Sequence, residues 1–475
     1  MADKTIVIHP VTRVEGHAKI TLILGQDGKV ADARFHVEEF RGFEKFCEGR
    51  HFTEMPIITP RICGICPVSH AVASAKACEN IMAVEVPPTA TLLRRLMHLG
   101  QMFSSHALSF FHLSSPDFLF GWDAEPSTRN IMAIAEKYPD VARRGIRLRK
   151  FGQELSSRLS GKKIHNGAIV PGGVTQALTE ENRLALLAWI PEAKESVEVA
   201  LALYKKYWEA NRKEMEAFAR FDTLYLGTVL PDGTHELYDG KLRWVDAVGN
   251  IVADQVDPVR FAEFIAERPL EYSYLKAPYF KPLGYPGGIY RVGPLARLNA
   301  ASRMPTPRAQ KEFLDFRSIA GGRPVAGSFA FHHARIIEMM SSVELVEMIL
   351  NDPRVMSTEI RSEAGRNRSE GVGCSEAPRG TLFHHYKVDP NGILTSVNLL
   401  IATGQNNPSM NQAVLEVAKT YVNGADVKEG ALNRVEGAIR CYDPCLSCST
   451  HAVGAMPLLL EITDSVGTVL RQIKR

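Results

Sequence analysis

Two pairs of cysteines, each with two residues between the thiols, are the feature of this sequence best suited to chemistry. The first pair is Cys63 and Cys66, and the second is Cys445 and Cys448 near the other end of the chain. Thiolates bind zinc, nickel, copper or iron in preference to magnesium or calcium. The two pairs together predict a four-sulfur metal site.

Two other kinds of site use the same spacing. A structural zinc knuckle also has four cysteines, but its two pairs usually stand about 15 to 20 residues apart. A thioredoxin-like redox pair would follow a strand–helix–strand pattern, which we do not find around either pair. A site that joins both ends of a large chain favours a buried reaction centre, although zinc remains an alternative on spacing alone.

The residues around the cysteines resemble those of a known family. RICGICPVSH at 61–70 and IRCYDPCLSCSTH at 439–451 are similar to the metal-binding signatures of nickel–iron hydrogenase large subunits. Four other segments resemble motifs of the same family: VTRVEGH at 11–17, FRGFEKFCEGR at 40–50, SSPD at 114–117 and SEAPRG at 375–380. The resemblance spans nearly the whole chain and looks strongest to the cytoplasmic, bidirectional, NAD(P)-linked group. It implies an enzyme that oxidises and forms dihydrogen.

The resemblance implies roles for the four cysteines. All four would bind nickel, with Cys63 and Cys445 as terminal ligands. Cys66 and Cys448 would also bridge to an iron that carries carbon monoxide and cyanide ligands. This arrangement concentrates negative charge, so a guanidinium group is expected close by.

Arg379 in SEAPRG matches the arginine that lies above the metals in this family. By the same resemblance, Asp117 and Asp443 would hold its guanidinium through charge-assisted hydrogen bonds. Ala402 and Thr403 would line the pocket for the diatomic ligands. The family more often has proline at the position of Ala402.

Proton transfer is the next role that the resemblance implies. Heterolytic cleavage of dihydrogen releases a proton, so a base must lie beside the metals. Cys445 would be the first acceptor, and Glu15 in VTRVEGH matches the glutamate that relays the proton onward. His70 would donate a hydrogen bond to the bridging sulfur of Cys66.

A second metal site, for magnesium, is also implied. Its ligands would be the Glu44 carboxylate, the backbone carbonyl of Leu399 and the side chain of His451. The two oxygen donors suit this ion, whereas a histidine ligand is atypical for it. We assign no ligand role to two pairs of adjacent histidines: His332 with His333, and His384 with His385.

Partners follow from what the sequence lacks. Its other four cysteines show no iron–sulfur spacing, and no GxGxxG fingerprint for a dinucleotide is present. We therefore expect an iron–sulfur small subunit, together with diaphorase subunits that bind flavin and NAD(P). The family also uses nickel chaperones and an endopeptidase that cuts after His451, which would remove residues 452–475. A metal-free scaffold, like the relative of this fold in respiratory complex I, is the alternative that the retained cysteines disfavour.

Composition excludes several other classes of protein. The 475 residues are 45% hydrophobic and 23% charged, with a formal net charge of +3. This balance argues against nucleic acid as a partner and predicts a folded protein. The sequence shows neither a signal peptide nor an apolar run long enough to span a membrane, so we expect a cytoplasmic protein.

The elements that must position these residues are mainly helical. Segments 5–9, 17–24 and 29–37 predict a small antiparallel sheet, with Asp27-Gly28 at a hairpin turn. From Pro67 onward the hydrophobic period indicates helices, including a pair after Thr179 that is broken at Pro191. We expect a mainly α fold with minor β: a large central helical bundle and a peripheral N-terminal sheet.

The chain is predicted to form one interlocked catalytic body over residues 1–451, followed by the removable extension 452–475. Its expected regions are sheet and loops at 1–60, a helical bundle at 61–220, an irregular or β insertion at 221–300, and helices with the second metal-binding segment at 301–451. A loop is predicted around SEAPRGTLFHHY at 375–386.

Overall fold

A computed structural model describes residues 4–424, 427–450, 459–463 and 469–474. The structure is 50% helical and 21% strand over the residues that it describes, which confirms the predicted mainly α fold. The described helices are Phe43–Cys47, Met55–Ile58, Pro67–Met82, Pro88–Leu108, Ser115–Leu119, Ile131–Lys137, Pro139–Ser160, Glu180–Leu187, Ile190–Ala210, Arg212–Ala217, Phe261–Phe264, Pro294–Ala300, Pro307–Ser318, Ala330–Leu350, Ala402–Gln405, Asn407–Tyr421, Glu429–Tyr442 and Leu446–Ser449.

The described strands form six small sheets. The predicted N-terminal sheet is confirmed, with strands Lys4–Ile8, Ala18–Leu24 and Val30–Val37 paired antiparallel. The other sheets contain Ile169–Val170 with Gly173–Val174; Tyr290–Arg291, Leu224–Val229, Lys241–Val245 and Ile251–Val256; Ile265–Leu270 with Ser273–Phe280; Glu370–Ala377, Gly380–Val388 and Leu394–Leu400; and Leu459–Thr463 with Val469–Lys474.

Long helices form the central bundle and bury its main apolar core. Helices Pro88–Leu108 and Pro139–Ser160 approach closely because each places a glycine at the contact. A Cβ atom at Gly152 would lie 2.2 Å from the Gly100 carbonyl oxygen. Larger side chains at these positions would force the two backbones apart.

The predicted helix pair after Thr179 is confirmed. The Thr179 side chain accepts a hydrogen bond from the Asn182 backbone at 3.2 Å and caps helix Glu180–Leu187. The next helix, Ile190–Ala210, starts beside Pro191 because proline fits the first turn of a helix.

One expectation about the elements is wrong. The segment predicted as a loop around SEAPRGTLFHHY forms most of an antiparallel hairpin, Glu370–Ala377 with Gly380–Val388. Strand Glu370–Ala377 is buried almost throughout, on both faces, so the alternation of apolar and polar residues that marks a half-buried strand is missing. Residues 221–300 also contain more regular sheet than expected, with six strands.

The N-terminal strands connect directly with the C-terminal helices. The Thr12 backbone nitrogen donates to Glu436 at 2.7 Å, and the Arg13 guanidinium reaches Asn433 at 2.9 Å. These contacts bring the region that follows strand Lys4–Ile8 to the segment that carries the second cysteine pair. In the part of the chain that the structure describes, no helix is long and apolar enough to cross a membrane.

Candidate metal centre

The four thiols predicted as ligands lie together in the interior. Their sulfur atoms are all within 4.8 Å of one another. Sγ of Cys63 lies 3.4 Å from that of Cys445, and Sγ of Cys66 lies 3.9 Å from that of Cys448. Cys445 and Cys448 are joined as a disulfide in this structure, and metal binding requires the reduced thiolates. Four buried sulfur donors at this spacing fit a centre of soft or borderline metals.

Local structure explains how each pair is presented. Helix Pro67–Met82 begins directly after Cys66, which is the N-cap residue of this helix. The second pair follows helix Glu429–Tyr442, whose end at Asp443 has a left-handed backbone with φ of 53°. This turn redirects the chain, and the Cys445 backbone nitrogen then donates to the Thr403 hydroxyl at 3.0 Å.

The thiols differ in acidity. A hydrogen bond from the Cys66 thiol lowers the pKa of Cys63, while the same bond together with burial raises the pKa of Cys66. Burial also raises the pKa of the four remaining cysteines, which are Cys47, Cys78, Cys374 and Cys441. These four behave as small apolar core residues, whereas Cys63 is prepared to ionise.

Arg379 occupies the two-residue turn of the hairpin that joins Ala377 to Gly380. Its guanidinium is buried, with Nη2 3.1 Å from the Asp443 carboxylate and Nη1 3.4 Å from the Ser105 hydroxyl. Burial opposes its charge, but the nearby Asp443, Cys66 and Cys63 raise the pKa of Arg379. A permanent positive charge therefore faces the thiol cluster.

A buried ionic network holds this turn. Arg297 donates from Nη1 to the Ala377 carbonyl at 2.9 Å and from Nη2 to the Pro378 carbonyl at 3.4 Å. Its Nε donates to Glu338 at 2.7 Å, and Glu376 accepts from Nη1 at 2.9 Å. All three charged side chains are fully buried. Arg297 thus fixes the backbone immediately before Arg379.

Asp117 lies elsewhere than expected. Its carboxylate binds Arg13 at 2.7 Å and Arg440 at 3.1 Å. The resemblance predicted that both Asp117 and Asp443 contact Arg379, but of these two aspartates only Asp443 does so. Two other arginines are closer to Asp117 because it lies between the N-terminal loop and helix Glu429–Tyr442.

Glu15 lies directly beside the second cysteine pair. Its carboxylate accepts hydrogen bonds from the Ser447 hydroxyl at 2.5 Å and from the Ser447 backbone nitrogen at 3.2 Å. Its own carbonyl accepts from the Leu446 nitrogen at 3.1 Å, in a parallel bridge with Cys445. An ionisable group from the N-terminal loop is thereby fixed against the segment that carries Cys445 and Cys448.

His70, on the first turn of helix Pro67–Met82, belongs to a buried chain of hydrogen bonds. Its Nδ1 lies 3.1 Å from His384 Nε2, and His384 Nδ1 lies 2.6 Å from the Tyr386 hydroxyl, which donates to Ser74 at 2.9 Å. Burial lowers the pKa of His70 to about 3, so its ring is neutral. The chain fixes the ring orientation of His70.

The residues predicted for magnesium are only partly described. Glu44 is buried, and one of its carboxylate oxygens lies 3.1 Å from the Arg41 guanidinium. Leu399 is buried on strand Leu394–Leu400, opposite His384. His451 lies outside the described residues. Ala402 and Thr403 are buried at the start of helix Ala402–Gln405.

Sequence reasoning missed four neighbours of this site: Arg41, Arg297, His384 and Ser447. His384 stands two residues before Tyr386, and side chains at i and i+2 of a strand share a face. This spacing could have indicated that the two side chains contact each other. Ser447 lies between the two cysteines of the second pair, where its polar side chain could have been noted. Arg41 contacts Glu44, only three residues further along the chain, whereas the partners of Arg297 depend on tertiary structure.

This chain is similar to known proteins over nearly its whole length. The chain matches the family model described as nickel-dependent hydrogenase over residues 41–138 and 130–451, and a HoxL-like model over residues 5–40. It is 43% identical to a chain of the F420-non-reducing hydrogenase vhc of Methanococcus voltae, covering 96% of each chain. It is 40% identical to the NAD-reducing hydrogenase HoxS subunit beta of Cupriavidus necator, covering 100% of each chain.

Solved structures agree with these matches. The crystal structure of an NAD+-reducing [NiFe]-hydrogenase in the H2-reduced state superposes with a TM-score of 0.92 at 43% identity, over 95% of this chain and 100% of that one. A Ni-Fe-Se hydrogenase from D. vulgaris Hildenborough superposes with a TM-score of 0.76 at 25% identity, over 95% and 100% of the two chains.

Proposed function

The chain belongs to the nickel-dependent hydrogenase family as a catalytic large subunit, and we propose that it oxidises and forms dihydrogen for an NAD(P)-linked complex. The observation that carries the proposal is the buried cluster of four thiols with the Arg379 guanidinium facing it. A structural zinc site requires the four thiols, but it does not require the buried guanidinium of Arg379 or the carboxylate of Glu15 beside them.

The metal ligands in this proposal are Cys63, Cys66, Cys445 and Cys448. Of these, Cys66 and Cys448 would help to hold both the nickel and the iron. When bound, the nickel–iron centre supplies heterolytic cleavage of dihydrogen and takes up the two electrons. The neutralising charge of Arg379 offsets part of the negative charge that four thiolates bring into a buried site.

The chain's own residues handle the proton. Cys445 accepts it first, because its sulfur belongs to the cluster and its segment contacts Glu15. Glu15 then receives the proton, with Ser447 holding its carboxylate in place through two hydrogen bonds. Neutral His70 is oriented by His384 through Nδ1 and would donate to the Cys66 sulfur from Nε2, which has no hydrogen-bond partner among the described residues.

The finer cofactor assignments are also part of the proposal. Carbon monoxide and cyanide on the iron would lie against Arg379, Ala402 and Thr403. Magnesium would bind Glu44, the Leu399 carbonyl and His451, in exchange for the present contact between Glu44 and Arg41. Hard oxygen donors suit this ion.

Electrons must leave through partner subunits. We assign no iron–sulfur cluster to this chain, so an iron–sulfur small subunit would receive the electrons and pass them to a diaphorase module that binds flavin and NAD(P). The relatives from Cupriavidus necator and the superposed NAD+-reducing enzyme support this acceptor. We propose that the complex works in the cytoplasm.

The proposed catalytic body ends at His451. Nickel chaperones would load the site, and an endopeptidase would then remove residues 452–475, of which the structure describes strands Leu459–Thr463 and Val469–Lys474. Removal of this tail would leave His451 as the last residue, free to lie beside Glu44 and the magnesium. The mass of the intact chain in nickel-loaded enzyme tests this step: a chain that ends at His451 is expected, and a full-length chain with full activity contradicts it.

Metal analysis tests the main proposal. The purified complex is expected to contain one nickel and, beyond its iron–sulfur clusters, one additional iron per large subunit, and to reduce NAD(P) with dihydrogen. Zinc at this site without nickel would refute the proposal. The isolated large subunit is expected to reduce no NAD(P), because the acceptor site lies on the partners.

A further inference from the structure

The hairpin turn that carries Arg379 is held from one side by a single buried guanidinium, that of Arg297. Hydrogen bonds from this group reach two carboxylates and two backbone carbonyls, those of Glu338, Glu376, Ala377 and Pro378. A guanidinium has five N–H donors fixed in one plane, whereas a lysine ammonium has three donors on a flexible stem. Lysine at position 297 could not make the same set of bonds.

The other side of the turn contacts the start of the helix that carries Arg297, Pro294–Ala300. Gly293 precedes this helix with a φ of 94°, and a Cβ atom there would lie 2.8 Å from the Arg379 carbonyl oxygen. The Arg297 backbone nitrogen donates to the Gly293 carbonyl at 2.9 Å. One short helix therefore supports the backbone of the turn both before Arg379 and at its own carbonyl.

This helix is itself fixed in the interior. All seven of its residues are buried, and a Cβ atom at Gly227 on the adjacent strand would lie 2.9 Å from the Arg297 Cα. The Glu338 partner of Arg297 also contacts two buried histidines, His106 at 2.7 Å and His235 at 3.1 Å. Arg297 is therefore held by strands and helices on several sides, and it transmits this rigidity to the turn.

The Arg379 side chain has fewer bonds of its own. Its Nε donates to the Asp443 carbonyl at 2.5 Å, Nη2 lies 3.1 Å from the Asp443 carboxylate, and Nη1 lies 3.4 Å from the Ser105 hydroxyl. Both contacted residues lie on other segments of the chain. The distance between this guanidinium and the thiols therefore depends on where the backbone of the turn lies.

We propose that Arg297 is a positioning residue for the dihydrogen reaction, and that it acts by holding the backbone of Arg379. The inference rests on the proposed function, in which the charge of Arg379 faces the metals. Loss of the bonds to Ala377 and Pro378 would release the turn and let the guanidinium of Arg379 shift. A shift of about 1 Å in such a group can lower a rate about 10²-fold. Arg297 would thus affect the reaction only through Arg379.

Arg94 provides a matched control for Arg297. It is also fully buried, pairs with a carboxylate and donates to two backbone carbonyls. Its partners are the Glu79 carboxylate at 2.5 Å, the Val170 carbonyl at 2.7 Å and the Gly173 carbonyl at 2.9 Å. These residues lie outside the turn of Arg379. Arg94→Lys therefore removes a comparable set of bonds elsewhere in the interior.

The first test measures dihydrogen oxidation by the complete complex with an artificial electron acceptor. Arg297→Lys is expected to lower turnover about 10- to 100-fold with nickel content unchanged, whereas Arg94→Lys should match the unmodified complex. In an Arg379→Lys background, Arg297→Lys is expected to add little further loss, because the group that it positions is already gone. An equal loss in both backgrounds would overturn the proposal, as would equal turnover of Arg297→Lys and Arg94→Lys.

Gly293→Ala provides a second variant if Arg297→Lys does not assemble. The added methyl group pushes against the Arg379 carbonyl oxygen and displaces the turn from its other side. Its control is Gly249→Ala, where φ is similar at 101° but the nearest atom, on Pro324, is 3.5 Å from the Cβ position. Gly293→Ala is expected to lower turnover to a similar extent as Arg297→Lys, and turnover equal to that of Gly249→Ala would overturn the proposal.

Two further measurements do not use turnover. The infrared bands of the proposed carbon monoxide and cyanide ligands report the charge that faces the iron, so Arg297→Lys should shift them in the same direction as Arg379→Lys. A role in folding alone would leave these bands unchanged. The backbone amides of residues 377–380 should exchange hydrogen faster in Arg297→Lys than in Arg94→Lys, and equal exchange would overturn the proposal. If the unmodified complex fails to oxidise dihydrogen, the proposed function fails instead, and the exchange rates still decide whether Arg297 holds the turn.

Discussion

Each ligand cysteine contributes one thiolate to the metal site. Single substitutions should therefore distinguish ligand cysteines from core cysteines by their effect on nickel retention. Cys66→Ala or Cys445→Ala is expected to abolish nickel retention and dihydrogen turnover, because each leaves an incomplete donor set in a buried pocket. Cys78→Ala is the control: its thiol is fully buried, with a raised pKa, and donates to the Phe52 carbonyl at 3.2 Å. It is expected to retain nickel. Elemental analysis of the purified complexes decides, and a nickel-loaded, active Cys445→Ala enzyme would contradict the ligand assignment.

Glu15 tests proton transfer separately from metal binding. Glu15→Gln keeps a similar shape and a carbonyl oxygen that can accept from Ser447, but it removes the group that takes up a proton. Nickel content should be unchanged, whereas turnover should fall about 10²-fold or more. Glu436→Gln is a suitable control, because this carboxylate also joins the two ends of the chain through its contacts with Thr12. Normal exchange of deuterium gas with water by Glu15→Gln would place the relay elsewhere.

At the scale of single elements, a strand of small residues packs tightly on the helix that follows the first cysteine pair. A Cβ atom at Gly373 would lie 1.9 Å from the carbonyl oxygen of Ala73 on helix Pro67–Met82. Gly373→Ala must therefore displace the hairpin that carries Arg379, and it is expected to lower the free energy of unfolding by about 1–3 kcal/mol. Gly365→Ala, where no atom lies within 4 Å, is expected to change stability little. Denaturation of both variants provides the comparison, and equal midpoints would show that the contact relaxes freely.

The same strand shows why part of the fold could not be predicted from the sequence. The N-terminal sheet and the helix pair after Thr179 follow local rules, namely a hairpin turn with alternating residues and a capped apolar period. Strand Glu370–Ala377 instead meets the helix with Gly371 and Gly373, whose missing side chains make the close approach possible. Its packing depends on backbone contacts, so no hydrophobic period marks it in the sequence.

At the scale of the whole molecule, the site is closed by contacts between the two ends of the chain. Motif similarity singled out the cysteines, Glu15 and Arg379 as candidates, and the folded chain brings them together. It placed Asp117 on Arg379, although the folded chain sets Asp117 between Arg13 and Arg440. These ion pairs depend on how segments far apart in the sequence pack together. A motif alone therefore does not predict which of several arginines lies nearest to Asp117.

Burial of neutral histidines throughout the body predicts how global stability depends on pH. Burial lowers the pKa of both His98 and His106 to about 4, although each ring contacts an oxygen, of Glu376 and Glu338 respectively. In the unfolded chain these histidines titrate near 6.5. Between these two pH values the unfolded state binds more protons, so the free energy of unfolding should fall as pH decreases from about 6.5 to 4. The slope is up to about 1.4 kcal/mol per pH unit for each histidine.

His106→Gln isolates one part of this dependence. The variant cannot take up the proton at residue 106 on unfolding, so its stability should decrease less steeply over the same pH interval, whatever its stability at pH 7. His9→Gln, at an exposed ring, should keep the full slope. Denaturant midpoints at several pH values between 7 and 4 measure both effects. If the free energy of unfolding of His106→Gln and of the unmodified protein changed equally with pH, the buried ring would already be protonated in the folded state. The Glu338 carboxylate would then bind the ring as a cation and would not accept a hydrogen bond from its neutral form.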